Sequence, residues 1–568
     1  MSFHLPDKQV IQQAHPTIES ALMNWKTWMK TFSEDPPTTC QCKQLLLQHP
    51  NLTHKNGHII SPAGLLSLPE QLIHLLSTSS ASCYYPAKIT YFATATEQIT
   101  TWLKRHGLPL HLLASWDNFL QQQWPLHLQS SAQNQAFTFN DLAQLRTILQ
   151  PLVVHNKDHA AHCFYLYCPI HYHHVLQQTF HDDKVFQTID STPIQFHANF
   201  KNKVPKEIHR TYKWAIDYNQ PLPGAYVFLK EKKHFDKARP VVSFATSPIK
   251  PLLRALATTL FDIILIAYPL NLHRHNIPQT WQAIHAFLAT VSMDQPLEMD
   301  NDDLSGFYTS IPQDRILNAT RHAISRYLQR NPSPQSQTDI KFTVNHSNTV
   351  AAGRVFRGSF KRTNPSVRVI WMKHVLILVE LSLRSSMFDC CGTIFRQIRG
   401  SCIGSPLSPV LCNICAAFEE DVWESAHRDM LLSAKTFYHA TRYVDNRLIL
   451  RMPQITHNPA IATFRSLDFY RPPVQLEPEN SNLYLGFAIN VLDKTVKYQI
   501  PVHSWEFRSH RSAGTQARNL SGMMSRISLI KKYTWPPQDA GATVRELMTV
   551  YRDRGHNLAS KTKTRAIF

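Results

Sequence analysis

The apolar positions of this chain change period several times, and each change marks an element. Cys163-Phe-Tyr-Leu-Tyr-Cys168 and Ala225-Tyr-Val-Phe-Leu229 are short aromatic and apolar runs that predict strands. Between them Tyr172–Phe180 has helical spacing, with Asp182-Asp183-Lys184 as its exit. The apolar stretch over 250–268 predicts a buried helix. Residues 297–312 read as an acidic strand entering a turn. Residues 330–350 read as a polar, Pro/Ser-rich surface insertion and residues 367–383 as an apolar helix. Residues 395–427 pass from a Gly/Ser/Pro turn into an amphipathic helix. Residues 437–451 alternate about Asp445-Asn446, which predicts a hairpin with its tight turn there. Leu483–Phe487 reads as a core strand, and the basic tail from 503 as helical with a break at Trp535-Pro536-Pro537. Before residue 145 the chain is rich in Gln, His, Leu, Ser and Thr. Ala63–Leu76 and Ile99–Leu113 have helical spacing, which predicts a mainly helical N-terminal extension.

Composition narrows the class. At 568 residues, two to four packed units are expected. Lys and Arg number 59 against 40 Asp and Glu, a formal charge of +19 that calls for a polyanionic partner, nucleic acid above all. Membrane classes are disfavoured. Met1–Ile11 holds no apolar run suited to a signal peptide, and Pro251–Leu270 is interrupted by Arg254 and Asp262. The ten cysteines are scattered, which fits a reducing compartment and not a disulfide framework. Cys163, Cys168, His171 and His174 have zinc-ligand chemistry but no second closely spaced Cys pair, so no zinc site is expected. Cys412 and Cys415 are expected to pack in a core.

Five segments carry candidate chemistry. Asp303-Leu-Ser-Gly-Phe-Tyr308 brings an acid to a strand end with a Tyr five residues on. Carboxylates that hold two divalent ions support phosphoryl transfer, and an aromatic at that spacing can sit under an incoming sugar and reject a 2′-hydroxyl. Asp300 and Asp302 offer competing registers, and the distance to Tyr308 selects Asp303. Gln397-Ile-Arg-Gly400-Ser-Cys-Ile-Gly404-Ser405-Pro-Leu-Ser408-Pro409 has two glycines that allow close backbone approach to a substrate. Ser405 or Ser408 can cap the following helix, with Pro409 in its first turn. Asp445, at a hairpin tip, can complete a two-metal pair with Asp303. Lys230, Lys232, Lys233, Lys237 and Arg239, ahead of Pro240, can clamp a triphosphate. Leu483-Tyr-Leu-Gly486-Phe487 is a short apolar strand with a glycine.

In this order the segments resemble the reverse-transcriptase motif series, and within it Penelope-like element reverse transcriptases, relatives of telomerase. Asp303–Pro312 resembles their Asp-Val-x-x-Leu-Tyr-Thr-x-Ile-Pro. Gly404-Ser-Pro-Leu-Ser-Pro409 with Asn413 resembles their Gly-Ser-Pro-Leu-Ser-Pro and downstream Asn. Arg239-Pro-Val-Val-Ser243 resembles their Arg-Pro-Ile-Val-Ser. Arg554-Gly555-His556 resembles the Arg-Gly-Tyr near the end of their thumb. The likeness runs over roughly 150–560.

The resemblance implies an α+β right hand of fingers, palm and thumb behind the N-terminal extension. Its expected parts are an extension over 1–145, pre-finger and fingers over 146–290, a palm over 291–490 and a thumb over 491–568. It implies RNA-directed DNA synthesis with two Mg²⁺ ions, Mn²⁺ being the alternative. The implied partners are an RNA template, a DNA primer and dNTPs, and the implied location is the nucleus or the cytoplasm. Asp303 and Asp445 become metal ligands, with Leu304 in the metal set and Asn446 beside them in the catalytic set. Tyr308 becomes the sugar gate. Arg239, Lys232 and Lys233 become triphosphate contacts, and Gln397, Gly400, Gly404 and Ser405 template and nucleotide positioners.

Four departures qualify the match. Asn446 replaces a second Asp. Ile403 replaces a Met. No Lys lies between 436 and 493 to act as general acid, leaving Arg465 and His457 as substitutes. The chain stops soon after the thumb, so the form expected lacks the GIY-YIG endonuclease of some relatives, and any endonuclease acts in trans. The rivals are a domesticated nucleic-acid-binding protein with weak or lost catalysis and an RNA-dependent RNA polymerase, which Tyr308 disfavours.

Overall fold

The computed structural model describes residues 152–269 and 272–556 with interruptions, the longest being 333–339, 346–354, 357–366 and 501–515, together with a few positions before 152. The fold is α+β and divides into two compact units. One comprises Met1–Val175, Phe228–Ala238 and Tyr498–Phe568; the other comprises Leu176–Val227 and Arg239–Lys497. The 146–290 stretch expected to form pre-finger and fingers is therefore shared between the units. Among the described residues no helix is long and apolar enough to cross a membrane.

In the first unit, Val153–Lys157 and Ala160–Tyr167 pair antiparallel, as the Cys163–Cys168 run predicts. Two short strands from the N-terminal region, Thr53–His54 and Ile59–Ile60, extend this sheet through Ile59 opposite Tyr167. A strand contribution from that region was not foreseen; Ala63–Leu76 lies outside the described residues. Tyr165, Tyr167 and Tyr172 are buried beside it. The tail forms two helices, Gln516–Tyr533 and Ala540–Asp553, that bury Met523, Ile527 and Ile530 against Val544, Leu547 and Tyr551.

The second unit holds two sheets that matter for function. Strands β1 (Phe186–Ile189), β2 (Gly224–Leu229), β3 (Ala238–Ser243), β5 (Met387–Cys390) and β6 (Thr393–Gln397) form a five-stranded sheet in the order β1-β6-β5-β2-β3. Strands β4 (Glu298–Ser305), β7 (Tyr438–Tyr443), β8 (Asn446–Arg451) and β9 (Gln475–Pro478) form an antiparallel sheet in the order β7-β8-β4-β9. Helices α1 (Lys250–Ala267), α2 (Gln313–Arg330) and α3 (Ser408–Ala426) pack on one another. In α1, Leu256, Leu260, Ile263 and Ile264 are wholly buried at helical spacing, the signature of a core helix.

Three expectations are corrected. The polar insertion is not simply a loop, because Lys341–Asn345 pairs with Val355–Phe356 and Val367–Trp371. Phe342, Thr343 and Val344 are all buried, a run too short to stand out among Ser, Asn and Thr. The predicted helix over 367–383 begins only at Met372, since Val367, Val369 and Ile370 are β-branched and take the strand. Leu483–Phe487 is not one strand. Leu485 and Gly486 both have positive φ (51° and 83°) and turn Leu483–Tyr484 into a hairpin with Phe487–Asn490.

Candidate active site

The alternation of side chains along β4 sorts its acids onto two faces. Asp300 and Asp302 share one face, and both are bound by arginines. Arg447 donates to Asp302 Oδ2 from Nε (3.0 Å) and Nη2 (2.8 Å). Arg451 and Arg465 donate to Asp300 Oδ2 at 2.7 and 2.8 Å. Asp303 faces the other way, with Asn446 directly opposite on β8 and Glu477 directly opposite on β9. The three acids of β4 thus differ in what they face. Two acids are consumed by buried ion pairs, and the third shares a face with the hairpin tip.

That tip differs in one detail from the expected turn. Tyr443 pairs with Asn446, so the two turn residues are Val444 and Asp445, and not Asp445 and Asn446. Val444 takes φ 56°, a left-handed conformation that a β-branched residue adopts at a cost on the order of 1–3 kcal/mol. Its surroundings hold it there. Arg442, wholly buried, donates from Nη1 to the Val444 carbonyl (2.8 Å) and from Nη2 to Asn413 Oδ1 on α3 (2.8 Å). Its Nε–H bonds Glu420 at 2.6 Å, and Tyr470 donates to the same carboxylate at 2.8 Å. The tip is also tied to β4, because the Leu304 N–H donates to the Asp445 carbonyl at 2.7 Å.

Tyr308 lies beside this pair. Burial pushes its hydroxyl pKa up, Cys412 and Asp445 add to the shift, and Arg239 opposes it. Tyr308 is therefore a protonated phenol within electrostatic reach of Asp445 and of the Arg239 guanidinium. The two glycines set its position by approaching the protein's own backbone. Gly400 (φ +69°) lies where a Cβ would meet the Tyr308 carbonyl at 2.2 Å, and the Ser401 N–H donates to that carbonyl at 2.8 Å. Gly404 (φ +103°) lies where a Cβ would meet the Val242 carbonyl at 2.3 Å, while the Val242 N–H donates to the Ile403 carbonyl at 2.8 Å. The glycine loop thus clamps the Tyr308 turn to the strand that carries Arg239. Gly404→Ala is expected to destabilise the second unit by well over ~1 kcal/mol, through both clash and positive φ; chemical denaturation followed by circular dichroism measures this.

Other expected residues fall elsewhere. Gln397 is 2% exposed, and its amide donates to the Arg399 carbonyl at 2.8 Å, so it holds the glycine loop from inside. Ser405 Oγ accepts from the Leu407 N–H (3.2 Å), and buried Ser408 donates to the Cys402 carbonyl (2.6 Å). Neither caps α3 at its N-cap, which is Leu407. Lys232 and Lys233 belong to a 3₁₀ turn, Glu231–Lys233, of the first unit, and Asp303 and Asp445 to the second. Arg465 is engaged by Asp300 on the far face of β4 and is not a stand-in proton donor. Cys412 and Cys415 are buried as expected, and Cys412 also donates to the Phe307 carbonyl at 3.2 Å.

The donor set fits a hard divalent cation. Asp303 and Asp445 supply carboxylate oxygens, and magnesium is commonly held by one or two carboxylates with the remainder from substrate phosphates and water. Among the described residues no three His, Cys, Asp or Glu side chains gather closely enough to hold a metal alone. Leu304 is 2% exposed and apolar, so only its backbone carbonyl could join them. Asn446 turns its amide Nδ2 to Asp445 Oδ1 at 3.2 Å and serves there as a donor that orients the carboxylate.

Sequence reasoning missed Arg442, Glu420, Arg447 and Tyr484, which donates to the Asn446 carbonyl at 3.2 Å. A signal existed: Arg442 and Arg447 are charged residues inside an apolar alternation, and they pair directly across the hairpin.

No family model matches the sequence, and no curated protein matches it. Solved structures do match. Telomerase from Candida albicans in complex with a TWJ fragment of telomeric RNA aligns with TM-score 0.48 at 11% identity, over 95% of this chain and 88% of that chain. Apo telomerase from Candida tropicalis aligns with TM-score 0.46 at 11% identity, over 98% and 87%. The RNA-dependent RNA polymerase of bacteriophage phi12 aligns with TM-score 0.33 at 10% identity, over 64% and 55%.

Proposed function

We propose that this chain is an RNA-directed DNA polymerase that extends a primer 3′-hydroxyl with dNTPs on an RNA template. One observation carries the reading. The β8–β4 register sets Asp303 opposite Asn446 and ties Leu304 to Asp445, while Asp300 and Asp302 are occupied on the opposite face. The face left for chemistry holds Asp303, with Glu477 opposite it on β9, beside the Asp445 tip, and the buried Tyr308 phenol senses both Asp445 and the Arg239 guanidinium.

In this reading Asp303 and Asp445 hold Mg²⁺ or Mn²⁺, with Leu304 contributing its carbonyl. A bound pair of such ions supplies activation of the attacking hydroxyl and charge neutralisation at the leaving phosphate. The chain's own residues do the rest. Arg239 neutralises triphosphate charge. Tyr308 stays protonated and crowds the sugar edge, so it selects against a 2′-hydroxyl by shape. Asn446 holds Asp445 in one orientation but brings no charge of its own. The origin proposed is a Penelope-like retroelement acting in the nucleus.

Purified protein is expected to incorporate dNTPs on a primed RNA template with Mg²⁺ or Mn²⁺. No incorporation above an Asp303→Asn control with either ion would overturn the reading. Tyr308→Ala is expected to narrow the dNTP-over-rNTP preference by about 10–100-fold, read as the ratio of kcat/KM values. An unchanged ratio removes the gate role.

A further inference from the structure

The structure holds a second cationic surface that the proposed chemistry does not use. From Lys341 to Lys373 the sequence contains seven Lys or Arg and no Asp or Glu. A charge run of one sign is usually a solvated face, so the run alone decides little. The side chains decide more, because here the cations are stacked on indoles. Lys341 Nζ lies 4.3 Å from the centre of the Trp371 ring and Lys373 Nζ 5.7 Å from it. The Arg368 guanidinium lies 5.1 Å from the Trp214 ring. Lys213, beside Trp214, is exposed, and both tryptophans are half-buried.

The two halves of the surface adjoin. The Trp371 N–H donates to the Tyr212 hydroxyl at 3.2 Å, and that hydroxyl in turn donates to His374 Nδ1 at 3.0 Å, because His374 Nε2–H is given to Glu207. Tyr212 is wholly buried, so the Lys213-Trp214 turn and the Val367–Trp371 strand are fixed to one support. An acid adjoins the patch: Glu207 pairs with Lys373 at 2.8 Å. That pair is solvent-exposed on both sides, and Glu207 keeps its bond to His374 Nε2 (3.0 Å), so a phosphate can take the Glu207 place on Lys373 at little cost.

We propose that this face binds single-stranded nucleic acid, with Lys213, Lys341, Arg368 and Lys373 on phosphates and the Trp214 and Trp371 rings available to bases. Alternating cations and aromatic rings are what a flexible strand recognises, because every base has a stacking face and every linkage a charge. A duplex would use the cations and leave the rings idle. An acidic protein surface would do the same. The inference rests on the proposed function only in taking nucleic acid as the partner, and its test reads binding, not synthesis.

In the full chain, Lys213→Gln, Lys341→Gln and Lys373→Gln are combined, beside a Lys→Arg version of the same triple. Labelled single-stranded RNA and DNA of one mixed sequence are the probes, followed by fluorescence anisotropy across a KCl series. The Gln triple is expected to lose about tenfold or more in affinity at low salt, and its log–log salt slope is expected to fall by about 2, three contacts at roughly 0.7 each. The Arg triple keeps both. Crosslinking of 4-thiouridine RNA is expected at Trp214 or Trp371. Unchanged affinity and slope in the Gln triple would overturn the proposal and leave the face to a protein partner. Equal loss in the Arg triple would overturn it too, as damage to the fold. A chain that binds through this face yet makes no DNA would refute the polymerase reading alone.

Discussion

Asp303→Asn is expected to lower primer extension by about a thousandfold, some 4 kcal/mol of transition-state stabilisation, while leaving the unfolding midpoint nearly unchanged. The neighbouring acids are expected to behave in the opposite way. Asp302→Asn leaves the buried Arg447 guanidinium without its carboxylate, and breaking a buried pair costs about 3–5 kcal/mol. Its effect should therefore appear first as lost stability, with residual activity per folded molecule. The contrast separates register from mere acidity, since the two residues are adjacent in sequence and differ only in the face they occupy. Single-turnover extension and thermal denaturation, run on both variants, decide it. A stable Asp302→Asn without activity, beside an active Asp303→Asn, would put the metals on the other face of β4.

The same alternation explains what could be read beforehand. The hairpin was legible because apolar residues flank a short polar turn at period two, and α1 was legible because its apolar run has helical spacing. Asp303 could be singled out by its distance to Tyr308. What sequence could not supply was the partner of each charge. Nothing in the order of residues tells that Arg442 meets Glu420 from a helix, or that Arg465 belongs to Asp300. Gly400 and Gly404 were recognised as special backbone, but the surface each approaches is set by tertiary packing. The turn itself was misplaced by one residue. Asp-Asn is the commoner turn pair by propensity, and Val444 is held in the left-handed region by Arg442, which Asn413 and Glu420 on α3 anchor.

Those α3 anchors make Arg442 the residue on which the site most depends without touching substrate. Arg442→Met removes the donor to the Val444 carbonyl and leaves Glu420 buried with only Tyr470 to bond it. The expected cost is about 3–5 kcal/mol, mostly the penalty of an uncompensated carboxylate. Adding Glu420→Gln removes that charge, so the double variant should recover much of the stability, a coupling of roughly 1–3 kcal/mol. Activity should not follow. With the Nη1–H bond to Val444 gone in both variants, the strained turn loses the guanidinium that links it to α3, and Asp445 is held less firmly at the tip. Thermal denaturation of the single and double variants reads the first effect, and kcat measured well below the unfolding midpoint reads the second. A double variant that regains stability and activity together would show that the ion pair serves the fold alone and that Asp445 keeps its place without it.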